Sequence, residues 1–152
     1  MRLDLANPEQ LGAAYRDFEE RLGPQALVQQ MIPPGVELIL GLVNDPQFGP
    51  LLTLGLGGIF VEVFKDVRML MLPTTPEAVR EALLSLRGAA LLHGVRGRPG
   101  ADLKAAVLAA MGLAALAEDL GDLIAEIDVN PLIALPDAAV VVDALIVPKA
   151  RD

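Results

Sequence analysis

The sequence predicts an α+β fold, in which helices pack against an antiparallel sheet. Two segments with helical periodicity open on Asn-Pro or Thr-Pro, and several short apolar runs are separated by tight turns. The 152 residues suit a single domain. The hydrophobic fraction of 53% excludes a disordered chain, which could not bury enough apolar surface to offset its conformational entropy.

Three helices are predicted from their start signals and apolar spacing. The first begins at Asn7-Pro8-Glu9, a favoured N-cap, a proline suited to the first helical position and an acidic residue in the first turn. Its apolar stripe is Leu11, Ala14, Tyr15, Phe18 and Leu22. Thr75-Pro76-Glu77 opens a second helix that ends near Leu86, and Asp102 caps a third that runs to about Leu116.

The strands are predicted from apolar runs that turn residues separate. In the first half these runs are residues 26–32, 36–43, 51–54, 59–64 and 67–72. In the second half, residues 124–129 and 140–147 are predicted as two closing strands joined by a turn at Pro136-Asp137. Because the links are short, the strands are expected to pair in antiparallel fashion.

Charge and composition exclude several classes of protein. The 12 basic and 20 acidic side chains give a net charge of −8, which argues against a nucleic-acid binder that relies on a basic face. No apolar run is long enough to span a bilayer, so we expect no membrane insertion. The chain has no cysteine, and Met1-Arg2-Leu3-Asp4 does not open a signal peptide, so a cytoplasmic location is expected.

Acidic and amide side chains cluster in the predicted closing strands. Glu126, Asp128 and Asn130 alternate along one strand and therefore project from one face, and an antiparallel neighbour can bring Asp143 opposite them. Such oxygen ligands suit Mg²⁺, which also keeps water and nucleotide phosphates as ligands. The alternative is a strand end and turn, with Asp143 in a surface ion pair.

Other polar positions carry weaker signals. The glycines of Gly55-Leu56-Gly57-Gly58 allow backbone amides to hold an anion, although a hairpin connection explains the spacing equally well. Arg96 and Arg98 are able to bind phosphate or carboxylate, but an exposed loop explains each of them better. Arg68 is expected to be solvated, and His93 to end a helix or pack against one.

Seven segments occur in an order typical of one family. They are residues 28–31, 35–38, 45–50, 55–62, 94–99, 126–132 and 142–144. Together they resemble the ATP-grasp domain of NDP-forming acyl-CoA synthetases, the group of ADP-forming acetyl-CoA synthetases. The resemblance runs from about Arg2 to Val147. Similar domains occur in some protein acetyltransferases and, more distantly, in the β subunit of succinyl-CoA synthetase.

The resemblance implies a reaction and a set of site residues. The reaction converts acyl-CoA, ADP and phosphate into acid, CoA and ATP, and its reverse. Asn130 and Asp143 would bind Mg²⁺ with Asp128 nearby. The nucleotide, ATP or ADP, would contact Gln29, Gln30, Met31, Glu37, Gly57, Gly58 and Glu62. Within this set, residues 29–31 form the hinge against adenine, Glu37 supports the nucleotide side of the cleft, and the glycines and Glu62 follow the phosphates.

The family pattern also includes parts that this sequence lacks. Residues 1–152 correspond to the C-terminal ATP-grasp subdomain, without the lysine-bearing N-terminal half and without the CoA-binding and ligase domains. We therefore expect a piece of a larger synthetase that is inactive alone and works with the remaining domains or subunits. Apolar strands left uncovered predict a homo-oligomer. The alternative is a regulatory module of a protein acetyltransferase, acting in assembly rather than catalysis.

Overall fold

The computed structural model describes residues 1–58, 66–95 and 97–150. These residues form two compact units, Met1–Pro33 and Pro34–Asp152, each of which is described by itself. Among the residues described, no helix has the length and apolar character that crossing a membrane requires.

The first unit contains one helix, α1 (Pro8–Leu22), as predicted. The Asn7 side chain accepts a hydrogen bond of 2.9 Å from the backbone N–H of Gln10, and Gly23 ends the helix with a φ of 96°. The predicted strand over residues 26–32 is wrong, because these residues form neither helix nor strand. A strand needs a neighbour to satisfy its backbone groups, and the described part of this unit contains no second strand.

The second unit is built on a six-stranded antiparallel sheet, which confirms the predicted fold class. The strands are β1 (Val36–Asp45), β2 (Gly49–Leu56), β3 (Val67–Met71), β4 (Ile124–Ala134), β5 (Ala139–Val141) and β6 (Ala144–Pro148). Their order is β3-β2-β1-β4, and the outer edge of β4 pairs with β5 along one half and with β6 along the other. The predicted strand 59–64 lies outside the described residues.

Helices cover one face of this sheet. They are α2 (Pro76–Leu84), a 3₁₀ helix (Ala89–His93) and α3 (Leu103–Leu120). Thr75 and Asp102 cap α2 and α3 through their side chains, as the start signals predict. Alternate strand residues meet the helices in the core, and its fully buried members include Leu38, Leu40, Leu42, Leu52, Leu54, Val79, Leu83 and Leu132. The opposite face carries the exposed side chains of Val43, Met69 and Met71.

Two strands differ from their predicted extents. β4 continues beyond residue 129 to Ala134 and contains an irregularity: Leu38 pairs with Leu132, whereas Leu40 pairs with Val129. One residue of β1, Ile39, thus faces two of β4, which is a β-bulge at residues 130–131. The predicted strand 140–147 is split into β5 and β6 at residues 142–143, which lie in neither strand but keep backbone hydrogen bonds to β4 without a change of register.

Candidate functional site

The bulged part of β4 presents polar side chains on the open face of the sheet. Ile127 and Val129 are buried in the core, whereas Asp128 is half-buried and Asn130 is exposed. Alternation along the strand accounts for this pattern up to Asn130. The bulge that follows shifts the alternation by one residue, so that Leu132 returns to the core. Bulges of this kind often lie beside functional sites, where they redirect a side chain.

Asp143 lies directly across from Asn130 on the neighbouring chain segment. The backbone N–H of Asn130 donates a hydrogen bond of 3.2 Å to the carbonyl oxygen of Asp143. The next pair along the sheet, Val129 with Ala144, keeps the same register. Opposed residues of antiparallel strands place their side chains on one face, within about 5.5 Å between Cβ atoms. The structure therefore places Asp128 and Asn130 on one face of β4 and brings the backbone of Asp143 to Asn130 at the neighbouring edge.

The chemistry of this edge fits a hard cation. Asp143 is exposed, and one of its carboxylate oxygens accepts a hydrogen bond from the N–H of Ala144 at 2.9 Å. No ion pair in the described part of the chain involves Asp128 or Asp143, so both carboxylates keep lone pairs for a ligand. Within those residues, no three His, Cys, Asp or Glu side chains converge into a complete metal cage. Two carboxylates and an amide instead leave positions for water and phosphate, which is the usual pattern for Mg²⁺.

A cavity of about 700 Å³ opens at the end of β1 and β2. Glu37, Gly57 and Gly58 line one wall, so three of the predicted nucleotide-binding residues lie together. The backbone N–H of Gly57 donates a hydrogen bond of 2.7 Å to the carbonyl oxygen of Glu37. A Cβ placed on Gly58 would lie 2.8 Å from a carboxylate oxygen of Glu37. The Glu37 side chain thus covers Gly58, a contact that the absence of a side chain there permits.

Another wall of the cavity comes from the 3₁₀ helix and the loop that follows it. Leu91 of the helix and Val95, Arg98 and Pro99 of the loop line the cavity. Arg98 is exposed, as expected for a loop residue, yet its place on the cavity also puts its guanidinium within the reach of an anion bound there. Arg96 lies outside the described residues. The cavity therefore combines an acidic and a glycine-lined wall with a wall that carries a cation.

The cavity and the acidic edge adjoin each other on the sheet. Ile39 lies opposite the bulge that contains Asn130, and Glu37 precedes Ile39 by two residues on the same face of β1. Two residues along a strand span about 6.8 Å. Asn130 and Glu37 are thus separated by one row of side chains, a distance that a polyphosphate chain can bridge.

The other residues that the sequence analysis singled out lie in the first unit, on the 3₁₀ helix or outside the described residues. Gln29, Gln30 and Met31 belong to the first unit, where all three are exposed and lie outside the helix. Glu62 lies outside the described residues. His93 ends the 3₁₀ helix and is exposed, in agreement with the helix-end interpretation.

Sequence reasoning missed a buried acid near the cavity. Within the part of the chain that the structure describes, Asp66 is the one charged residue that is buried. It forms an ion pair of 3.2 Å with Arg68, whose guanidinium also donates to the hydroxyl and the backbone carbonyl of Ser85. Arg68 is therefore solvated only in part, with 36% of its side chain exposed, because strand alternation points Arg68 and Asp66 to the same side. That i, i+2 pair of opposite charges was the available signal.

Asp66 also ties the sheet to the loop before the cavity. Its carboxylate accepts hydrogen bonds from the backbone N–H groups of Arg87 and Gly88. Gly88 is the residue that precedes the 3₁₀ helix, and it packs so closely on Leu56 that a Cβ would overlap that side chain. Both Leu56 and the 3₁₀ helix contribute to the cavity.

Sequence comparison relates the chain to known synthetase subunits. Residues 1–147 match the family described as "ATP-grasp domain". The chain is 37% identical, over 97% of its length, to "Acetate--CoA ligase [ADP-forming] II subunit beta" of Pyrococcus furiosus and covers 66% of that protein. It is 35% identical to the corresponding I subunit beta, covering 95% of this chain and 65% of the subunit. The chain thus spans slightly less than two thirds of these relatives.

Solved structures give the same assignment. The fold matches Ca. Korarchaeum cryptofilum ACD1 in complex with coenzyme A with a TM-score of 0.88 and 37% identity, covering 97% of this chain and 67% of that one. A second structure from this organism is dinucleotide forming acetyl-coenzyme A synthetase 1, in complex with coenzyme A and Mg-AMPPCP. It matches with a TM-score of 0.85 and 39% identity over 97% of this chain and 67% of that chain.

These relatives are acyl-CoA synthetases or their subunits and lend no support to the alternative of an acetyltransferase regulatory module. They confirm the resemblance that the seven ordered segments indicate, and they cover nearly all of this chain. The 152-residue chain, with its six-stranded antiparallel sheet and its match over residues 1–147, belongs to the ATP-grasp domain family, as a portion of the kind found in ADP-forming acetyl-CoA synthetases.

Proposed function

We propose that this chain binds a magnesium–nucleotide complex as part of an NDP-forming acyl-CoA synthetase. The observation that carries the proposal is the placement of Asn130 opposite Asp143, on the same face as Asp128 and one row from the cavity beside Glu37. Oxygen ligands for Mg²⁺ thus lie next to a space bordered by glycine backbone, which is the combination that a polyphosphate requires.

Each element of the site has a proposed role. Asp128, Asn130 and Asp143 hold Mg²⁺ through their side-chain oxygens. Bound Mg²⁺ supplies neutralisation of the charge on the phosphate oxygens. Gly57 and Gly58 lie along the phosphates together with Glu62, and Glu37 supports the nucleotide side of the cleft. Gln29, Gln30 and Met31 provide the hinge against the adenine. ATP and ADP are the proposed nucleotides.

We further propose that the chain acts within a larger assembly. The complete reaction interconverts acyl-CoA, ADP and phosphate with acid, CoA and ATP, and this chain supplies the nucleotide part of it. Two relatives are named as β subunits. A third, "Acetate--CoA ligase [ADP-forming] I" of Archaeoglobus fulgidus, is a longer chain, of which the match covers only 17%. These facts support CoA chemistry by other domains or subunits. A cytoplasmic location, and an isolated chain that is inactive and self-associates, are further parts of this proposal.

The nucleotide site is tested by titrating the isotope-labelled chain with Mg-ADP and following its amide signals by NMR, which detects weak as well as tight binding. We expect signals from residues 128–130, 143–145 and 56–58 to shift together along one binding curve. Asp143→Ala removes one charged ligand and should weaken binding by about tenfold or more, the equivalent of about 1.4 kcal/mol.

The matched control is Asp137→Ala, which removes the same charge from an exposed turn at the same sheet edge. It should bind Mg-ADP as the wild type does. Equal affinities for the wild type and Asp143→Ala, or shifts confined to other parts of the chain, would refute the proposed site.

A further inference from the structure

The outward face of α3 is unusually apolar for a surface helix. The inner face of this 18-residue helix packs into the core through Ala106, Val107, Ala110, Leu113, Ala114 and Ala117. The outward stripe, at steps of three and four residues, consists of Lys104, Leu108, Gly112, Ala115 and Asp119, with Leu116 beside it. Leu108 is 61% exposed and Leu116 is 38% exposed. Nothing in the described unit covers this stripe.

Gly112 lies in the middle of the stripe, where the fold of the chain does not need it. A Cβ added at Gly112 would meet no atom within 4 Å. Glycine in a helix interior costs stability relative to alanine, so a reason for it must come from outside the chain. A glycine on an outward helix face lets a second helix approach closely, because the distance between packed helices is set by the side chains at the contact.

The charged residues at the two ends of the stripe are both unfavourable for the dipole of α3. Lys104 lies in the first turn and Asp119 in the last, so each charge faces the end of the helix dipole with the same sign. In the described part of the chain, neither side chain takes part in an ion pair. Both charges therefore lack an oppositely charged partner in the described part of the chain.

A second copy of α3, lying antiparallel, would cover the apolar stripe, pack closely at Gly112 and provide a partner of opposite charge for Lys104 and Asp119. The midpoint between Lys104 and Asp119 falls at residues 111–112, so a two-fold axis at Gly112 places each Lys104 beside the Asp119 of the other copy. The same axis places Leu108 of each helix against Ala115 and Leu116 of the other. We propose that the outward stripe of α3 is a symmetric interface between two copies of this chain, with the helices crossing at Gly112.

The size of the contact sets the expected strength of this dimer. The helix is about 27 Å long. One helix pair of this length buries less than the roughly 1,200–2,000 Å² of a standard stable interface. We therefore expect a weak dimer, which forms as the concentration rises through the micromolar range.

Sedimentation equilibrium of the complete 152-residue chain tests the interface. The wild type should pass from monomer to dimer across the micromolar range. Gly112→Leu should remain monomeric throughout, with a thermal midpoint at low concentration that is no lower than that of the wild type, because the position is open and leucine is the better helix former. This combination separates loss of the interface from loss of the fold.

Charge reversal provides the matched control. Lys104→Asp and Asp119→Lys should each weaken the dimer by about tenfold, since each places two like-charged pairs across the axis. Each single change also suits the helix dipole better, so the monomer should stay folded. The double variant should restore the wild-type dimer. The proposal would be overturned by a wild type that stays monomeric or by a larger oligomer. It would also be overturned by a dimer that Gly112→Leu and the single charge reversals leave unchanged, a result that would place the contact on the open sheet face.

Discussion

Replacement of Asp66 by alanine is expected to destabilise the second unit more than any surface change of the same charge. The Asp66 residue is 5% exposed, and its carboxylate carries one ion pair and two hydrogen bonds from backbone amides. Alanine removes all three interactions at once. The amides of Arg87 and Gly88 then lose their partner at a partly buried position.

The magnitude follows from these contacts. Removing one partner of a buried charge pair costs about 3–5 kcal/mol, and each orphaned amide adds to the desolvation loss. Arg68 keeps its hydrogen bonds to Ser85, and its side chain is 36% exposed. The expected loss of stability therefore lies at the lower end of this range. We therefore expect Asp66→Ala to lower the free energy of unfolding by about 3 kcal/mol. For a chain of this size, the thermal midpoint would fall by about 10 °C.

Urea denaturation followed by circular dichroism measures this difference directly. Asp66→Asn, which keeps the shape and one acceptor oxygen, should recover about half of the loss. Hydrogen exchange should accelerate most at residues 87–95, because these residues depend on the Asp66 carboxylate. Asp137→Ala, an exposed aspartate, should change stability by less than about 0.5 kcal/mol. Equal effects of Asp66→Ala and Asp137→Ala would refute the reasoning.

Two further changes test the core and a helix start. Leu54→Ala opens a cavity at a fully buried position and should cost about 2–5 kcal/mol in urea denaturation, whereas Leu123→Ala, at an exposed position before β4, should cost almost nothing; similar losses would contradict the assigned core. Asp102→Ala removes the side chain that accepts the N–H of Ala105 at 3.0 Å and should lower stability by about 1 kcal/mol, a loss that an unchanged unfolding midpoint would disprove.

The helices and the sheet class could be predicted because their signals are local. Asn7, Thr75 and Asp102 each cap a helix through contacts three residues away, and tight turns dictate antiparallel pairing. The prediction of a strand over residues 26–32 was wrong because an apolar run shows that a segment is able to form a strand, but not that a neighbouring strand exists. Pairing is a property of the whole chain, which periodicity does not report.

The parts of the candidate site that depend on strand alternation could be predicted from the sequence. The parts that depend on contacts between distant segments could not. Asp128 and Asn130 share a face of β4 because side chains alternate along a strand, and antiparallel order brings Asp143 beside Asn130. The contact between Glu37 and Gly58 and the loop wall with Arg98 depend on side chains that are distant in sequence. The bulge at residues 130–131 could not be predicted either, because it is defined by the pairing of β4 with β1 and not by the sequence of β4 alone.

The central claim is that side chains from β4 and from residue 143 hold a divalent cation beside a bound nucleotide. Manganese titration of the isotope-labelled chain in the presence of ADP tests this most directly, since Mn²⁺ accepts the oxygen ligands of Mg²⁺ and broadens the NMR signals of nearby nuclei. The account predicts that amides 128–130 and 143–145 broaden first, at manganese levels well below one ion per chain, and that Asn130→Ala abolishes this selectivity. Broadening that begins at other acidic residues, or that is the same for the wild type and Asn130→Ala, would contradict it.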